Sequence, residues 1–199
     1  MLPLQPLSRW RKRLLLTVFA ALGIVLCFWS GRLSVTPLQA LELTGARVKL
    51  EDGRLLRRDN NEPFTGFLIE RYEDGKLKSR SAISNGLMHG LSEGWHTNGT
   101  LQISEPFLNG VSHGTRVKWH PNGQKLSEAT VVHGQLHGPF RRWHENGKLA
   151  EEMVLKSGAP DGKAVSYFPS GYIQAETTLS NGVLVHQAHW KDGERASLQ

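Results

Sequence analysis

Glycines recur every 24 residues in this chain, and that period constrains the fold more than any other feature. Gly66, Gly90, Gly114, Gly138 and Gly162 form one series, and Gly75, Gly99, Gly123, Gly147 and Gly171 a second. Gly86, Gly110, Gly134, Gly158 and Gly182 form a third. Fifteen of the 21 glycines are thus in register, which divides the chain into repeats 66–89, 90–113, 114–137, 138–161 and 162–185. A unit this short cannot bury a hydrophobic face alone and is stable only when stacked on its neighbours.

Each repeat carries two turn signals. The first is Asp74-Gly75, Asn98-Gly99, Asn122-Gly123, Asn146-Gly147 and Ser170-Gly171; the second is Asn85-Gly86, Asn109-Gly110, His133-Gly134, Ser157-Gly158 and Asn181-Gly182. Such pairs tolerate the positive φ that a two-residue hairpin turn requires, so both read as such turns. Two turns in 24 residues leave two strands of about six residues each, and stacked hairpins make an antiparallel meander.

The side chains between the turns line up in columns. Ile83, Phe107, Val131, Leu155 and Leu179 are apolar throughout, and Arg71, Trp95, Trp119, Trp143 and Tyr167 are aromatic in four of five repeats. Leu77, Leu101, Leu149 and Ile173 form a third column, with Leu126 one place late. Polar residues fill alternate positions, the pattern of a sheet with one apolar and one wet face. Trp95, Trp119 and Trp143 share the parity of Val117 and Val165 and read as core; half-exposed, with Tyr167, they would form a platform for a partner.

Outside the repeats, residues 46–56 read as a further hairpin about Asp52-Gly53, and residues 60–63 as the loop that follows, so 42–63 is a leading hairpin and loop. The repeat domain then spans 64–193, closing with a degraded half-repeat at 186–193, and 194–199 is a tail. A worn last unit is the expected form of a cap.

The N-terminus differs from all this. Arg9, Arg11, Lys12 and Arg13 close a basic segment, 1–13, and residues 14–29 carry no charge. Residues 14–31 would extend about 27 Å as a helix, near the hydrocarbon thickness of a bilayer. Trp10 and Trp29 stand at its ends, where amphipathic rings favour the interface. An uncleaved transmembrane anchor at 14–31 is the expected reading, with 32–41 as a tether. A cleaved secretory signal is the alternative, although Leu38 at the −3 position before Ala40 fits cleavage poorly. Cations on the N-terminal side keep that end cytoplasmic and export the repeats.

Charge follows the same division. The formal charge is +6, yet five of the 24 Lys/Arg and none of the 18 Asp/Glu lie in residues 1–40, so the remainder carries 19 cations against 18 anions. A near-neutral body does not imply binding to nucleic acid. The single cysteine, Cys27, excludes a disulfide framework within the chain.

No cofactor motif is present: the chain has no Walker loop, dinucleotide fingerprint, HExxH or CxxC pair. Gly90-Leu91-Ser92-Glu93-Gly94 matches the GxSxG string, but that motif works on a strained strand-to-helix turn, and Ser92 falls on a repeat strand. A hydrolase using Ser92 would lose its activity in Ser92→Ala. His96, His120 and His144 form one column, and His89, His113 and His137 another. Equivalent residues in successive hairpins stand about 9.5 Å apart, too far for one column to converge on a metal ion.

The pattern Gly-x4-Trp/Tyr-x-x-Asn-Gly-x-Leu, followed by an apolar residue and Asn-Gly with His-Gly opening the next unit, resembles the MORN repeat variant. With Glu62-Pro63-Phe64-Thr65-Gly66 ahead of the array, residues 42–193 resemble the bacterial YwqK-like family. The first repeat departs from the pattern, with Arg71 at the aromatic position and Tyr72 beside it. The resemblance implies a mostly β fold of stacked hairpins and a non-catalytic protein-binding or scaffold role. It also implies a bacterial inner-membrane location and, in some family members, an antitoxin or immunity component that binds one cognate toxin.

Overall fold

The computed structural model describes residues 42–180 and 183–194. The expected basic segment 1–13, transmembrane anchor 14–31, tether 32–41 and Asn181-Gly182 turn lie outside the described residues, as do residues 195–199. Among the described residues no helix is long and apolar enough to cross a membrane.

The described chain is almost entirely strand. β1 (Glu42–Thr44) leads through a single 3-10 turn (Gly45–Arg47) into β2 (Val48–Glu51) and β3 (Arg54–Arg57). The repeats then supply β4 (Gly66–Arg71), β5 (Leu77–Ser84), β6 (Leu87–Trp95), β7 (Leu101–Leu108), β8 (Val111–Ser112), β9 (Gly114–Trp119) and β10 (Lys125–Val132). They continue with β11 (Gln135–Trp143), β12 (Leu149–Lys156), β13 (Ala159–Pro160), β14 (Gly162–Tyr167), β15 (Ile173–Ser180) and β16 (Val183–His189). One 14-stranded sheet runs in sequence order from β4 to β16, with β8 pairing β7 and β13 pairing β12. Every pair along it is antiparallel except at its start, where β1 adds in parallel to β4. The expected meander is therefore present; β1 was not legible, because a three-residue strand has no measurable periodicity.

The two turn signals are built differently. At the second, both residues take positive φ: Asn85 49° and Gly86 79°, Asn109 50° and Gly110 86°, His133 50° and Gly134 80°. This is the expected two-residue turn, and Asp52-Gly53 (48° and 74°) closes β2–β3 the same way. At the first signal only the glycine is left-handed, for example Gly99 at 87°. The amide of Gly99 donates to the carbonyl of His96, and the amide of His96 to that of Thr100. This is a three-residue loop with a glycine bulge, not the two-residue turn expected from Asn-Gly. Asn98 serves here through its side chain, whose Oδ1 accepts from the Thr100 amide at 3.0 Å. The glycines that open the repeats have a third role. Gly90, Gly114 and Gly138 take φ of 102°, 123° and 81° where the strand pairing slips, as in β10–β11 between Ala129 and Val131. A bulge there bends every hairpin at the same level. A Cβ on Gly114 would stand 2.7 Å from Cγ of Pro106.

Ladder register corrects the reading of one dry and one wet face. In β4–β5, Gly66 stands opposite Ile83 and Arg71 opposite Leu77. Five steps along β4 separate Gly66 from Arg71, so these two pairs occupy opposite faces. The apolar column Ile83, Phe107, Val131, Leu155 and Leu179 lies on one face, hereafter the core face, and Trp95, Trp119, Trp143 and Tyr167 lie on the other, the aromatic face. Parity alone did not reveal this, because the bulge at each first turn shifts the count on one strand. Ile83, Val131 and Leu155 are buried on the core face. The leading hairpin packs there too, with Val48 and Phe64 against Ile83 and with Leu55, Leu68 and Met88 around them.

Side chains join one repeat to the next. Nε2 of His96, His120 and His144 lies 2.9, 3.0 and 2.8 Å from the carbonyl oxygens of Trp119, Trp143 and Tyr167. A carbonyl only accepts, so each Nε2 carries the proton. In the first repeat the Tyr72 hydroxyl donates to the Trp95 carbonyl at 2.6 Å and takes the histidine's place. Nδ2 of Asn98, Asn122 and Asn146 likewise donates to the carbonyls of Pro121, Glu145 and Pro169. At the other end of the hairpins the amides of Gly110, Gly134 and Gly158 donate back to the carbonyls of Met88, Ser112 and Leu136.

Two outcomes follow. Leu155→Ala should destabilise the array by about 2–3 kcal/mol in urea unfolding, since its side chain is among the most buried. His120→Ala should cost about 1 kcal/mol for one lost bond, while His120→Tyr, which copies Tyr72, should recover most of it.

Candidate functional site

Four of the exposed apolar side chains of the repeats gather on the aromatic face. Residues directly opposite in an antiparallel pair share a face. Leu91 faces Pro106, Pro139 faces Val154, and Leu108 faces Val111. Leu91, Leu108, Val111 and Val154 are each 45 to 50% exposed, and all lie on the aromatic face. Repeat two supplies three of them. These residues were missed in the sequence, where they fall between the regular columns at positions that sister repeats fill with a mixture of apolar and polar residues, such as Phe67, Thr115, Pro139 and Lys163 in place of Leu91.

Next to this apolar strip runs a charged row, and next to that the aromatic column. Val117 faces Glu128, Arg141 faces Glu152 and Val165 faces Glu176. Trp119 faces Lys125, whose Nζ lies 5.1 Å from the Trp143 ring centre and 2.7 Å from Glu128. Lys125 stands where the other repeats carry Leu or Ile, which explains why Leu126 comes one place late. The Tyr167 hydroxyl donates to Glu152 at 2.8 Å. Burial and the neighbouring Glu152 carboxylate both push that hydroxyl's pKa up. At the first repeat the Arg80 guanidinium lies 3.6 Å from the Phe67 ring centre.

The expectation that the tryptophans form the core is corrected. Trp95, Trp119, Trp143 and Tyr167 are half-buried, and none belongs to the buried set. The rings are flanked across the ladder by Leu101, Leu149 and the buried Ile173, and the same face also buries Ile69 and Val165, so it is partly dry rather than bare. They lie beyond the charged row that adjoins the exposed strip.

The histidine columns carry other duties. His96, His120 and His144 are held in the inter-repeat bonds. Nδ1 of His89 lies 3.2 Å from Oδ1 of Asn109, and the His113 and His133 rings meet edge to face at 5.4 Å. Among the described residues no group of three or more His, Cys, Asp or Glu side chains is placed to hold a metal ion. Ser92 sits within β6 on the core face, and its hydroxyl pairs with that of Ser81 at 2.8 Å. A position inside a strand lacks the turn geometry a GxSxG nucleophile needs.

One ion pair on the core face is sheltered. Arg116 Nη2 contacts Oε1 of Glu105 at 2.5 Å, with the Glu105 side chain only 13% exposed. Burial opposes ionisation of Glu105, but the hydrogen bond and charge of Arg116, with help from Lys118, outweigh it and hold the carboxyl below its ordinary pKa. The stability it contributes is present above the ordinary carboxylate pKa and is lost as pH falls through the lowered value. Glu105→Gln should therefore flatten the fall in melting temperature below about pH 4, read by calorimetry.

No curated protein matches the chain. A family model described as the MORN repeat variant matches residues 88–109, 112–133 and 136–156, each stretch beginning just past one two-residue turn and ending at the next. The three central hairpins, which include the repeat with most of the exposed apolar strip, are thus similar to the MORN repeat variant.

Proposed function

We propose that this chain is a membrane-tethered, non-catalytic binding module whose repeat array docks a protein partner on its aromatic face. The observation that carries the reading is that Leu91, Leu108, Val111 and Val154 share that one face, with a charged row between them and the half-buried aromatic rings. Exposed apolar patches rimmed by polar groups mark interaction sites. Arrays of stacked repeats are suited to such work, because they present a long continuous surface. The anchor is the segment 14–31, whose residues 14–29 carry no charge, and it would hold the N-terminus in the cytoplasm and the array outside, at a bacterial inner membrane.

The antitoxin role implied by the YwqK-like resemblance is a narrower form of the same reading, with one cognate toxin as the partner. The uneven strip supports it, since a surface concentrated in repeat two suits one specific partner better than many interchangeable ones.

A photoreactive amino acid placed at position 108 in the native chain should give one discrete cross-linked adduct in the cell envelope. The same group at Lys118, on the core face, should give none. Leu91→Glu combined with Leu108→Glu should abolish the adduct obtained from a probe at position 154, while changing stability by no more than about 0.5 kcal/mol per site. An adduct that persists in the double variant, or arises equally from position 118, would show that the aromatic face is not the docking surface. A ladder of unrelated adducts would favour a scaffold over the antitoxin role.

A further inference from the structure

The sheet has two ends, and they are finished differently. At the first, β4 is covered by β1, a three-residue parallel strand, with the chain running on from there. Very short edge strands are one of the devices by which sheets avoid pairing with one another. At the second end stands β16, Val183–His189, which among the described residues pairs with β15 on one side only.

β16 has the wrong composition for a solvent edge. Val183, Leu184 and Val185 are 66, 55 and 64% exposed. Among the described strands longer than three residues, β16 alone contains no Lys, Arg, Asp or Glu. It also lacks proline. Charges, proline and bulges are the usual protection of an outermost strand, and of these β16 has only a bulge. Its one irregularity is an extra residue, Val185, between the pairs Thr178–His186 and Leu179–Leu184. On either side of it the ladder to β15 is regular, so outward-facing amides and carbonyls remain along both stretches.

We infer that β16 is a homodimerisation edge, which pairs antiparallel with β16 of a second copy about a two-fold axis to continue the sheet across both chains. An uncharged strand meets itself without like-charge repulsion. Because the first edge is blunted, one pairing edge remains among the described residues of each chain, and such an assembly closes at two copies and does not grow into a fibre. A register centred on His186 sets Leu184 against Ala188 of the second copy. The inference concerns the edge of the sheet and stands independently of what docks on its aromatic face.

The test uses the full chain in a density-matched neutral detergent, followed by sedimentation equilibrium. The expected result is a dimer that is lost in Leu184→Lys/His186→Lys, a variant checked by circular dichroism for retained strand content. In a Cys27→Ser background, single cysteines are then placed in turn at positions 183 to 189 and oxidised. Disulfide-linked dimer should peak at one or two positions and fall away on both sides. A monomeric full chain overturns the inference. So does a dimer that survives the lysines with no cross-link along β16, which would place the contact in the N-terminal segment. A chain that dimerises only after residues 195–199 are removed would show that its own tail covers the edge, and would overturn it equally.

Discussion

An isolated two-stranded hairpin has too little to bury, so everything here depends on how each hairpin is held to the next. The bond that does this most directly runs from a histidine ring to the backbone carbonyl 23 residues on, repeated at His96, His120 and His144. Beside it runs the asparagine bond from Asn98, Asn122 and Asn146. Each is worth little alone, on the order of 1 kcal/mol, but each also fixes register. A slip of one residue would move every side chain to the opposite face. Each asparagine side chain thus closes its own loop and sets the position of the neighbouring one. Each histidine closes its loop through its backbone amide and reaches the next repeat through its ring. That double duty explains why histidine and asparagine recur where a metal site or a plain turn was the more obvious reading. Ser170 pairs with Asp192 at the worn end of the array, extending the row past the last full repeat.

Because register is held at both ends of the hairpins, the sheet can be a single layer with both faces partly dry. The core face buries Ile83, Val131 and Leu155, while the aromatic face keeps its rings half-covered and exposes Leu91, Leu108, Val111 and Val154. A two-layer protein would cover such a strip with another element. Here nothing in the described chain covers it, so the cost of solvating apolar surface is offset only when something else docks there. Binding capacity is in this sense a consequence of the architecture. The repeat supplies a rigid, correctly spaced strip, and substitutions at non-repeating positions decide what the strip recognises.

Much of this was legible beforehand for a physical reason. Positive φ demands glycine, or asparagine as its nearest substitute, so a repeated turn leaves a repeated glycine in the sequence. The repeat boundaries, the meander, the hairpin at Asp52-Gly53 and the two-residue turns at Asn85-Gly86 and its counterparts all follow from that one steric rule. The first turn was misread because Asn98-Gly99 and Asn109-Gly110 are the same dipeptide, although only the second places asparagine itself at positive φ. Which of the two forms depends on how many residues the flanking strands leave to the loop.

Period, turn positions and strand content were determined by the sequence alone, because they are local consequences of backbone sterics repeated five times. Which face each column occupies was decided only in the folded sheet. A single extra residue at each first turn reverses the count between Trp119 and Val131, and no local signal marks it. The exposed strip and the uncharged outer strand were decided there as well. Leu91 and Val183 look like ordinary strand residues until the pairing shows that one lies on an uncovered face and the other on an unpaired edge.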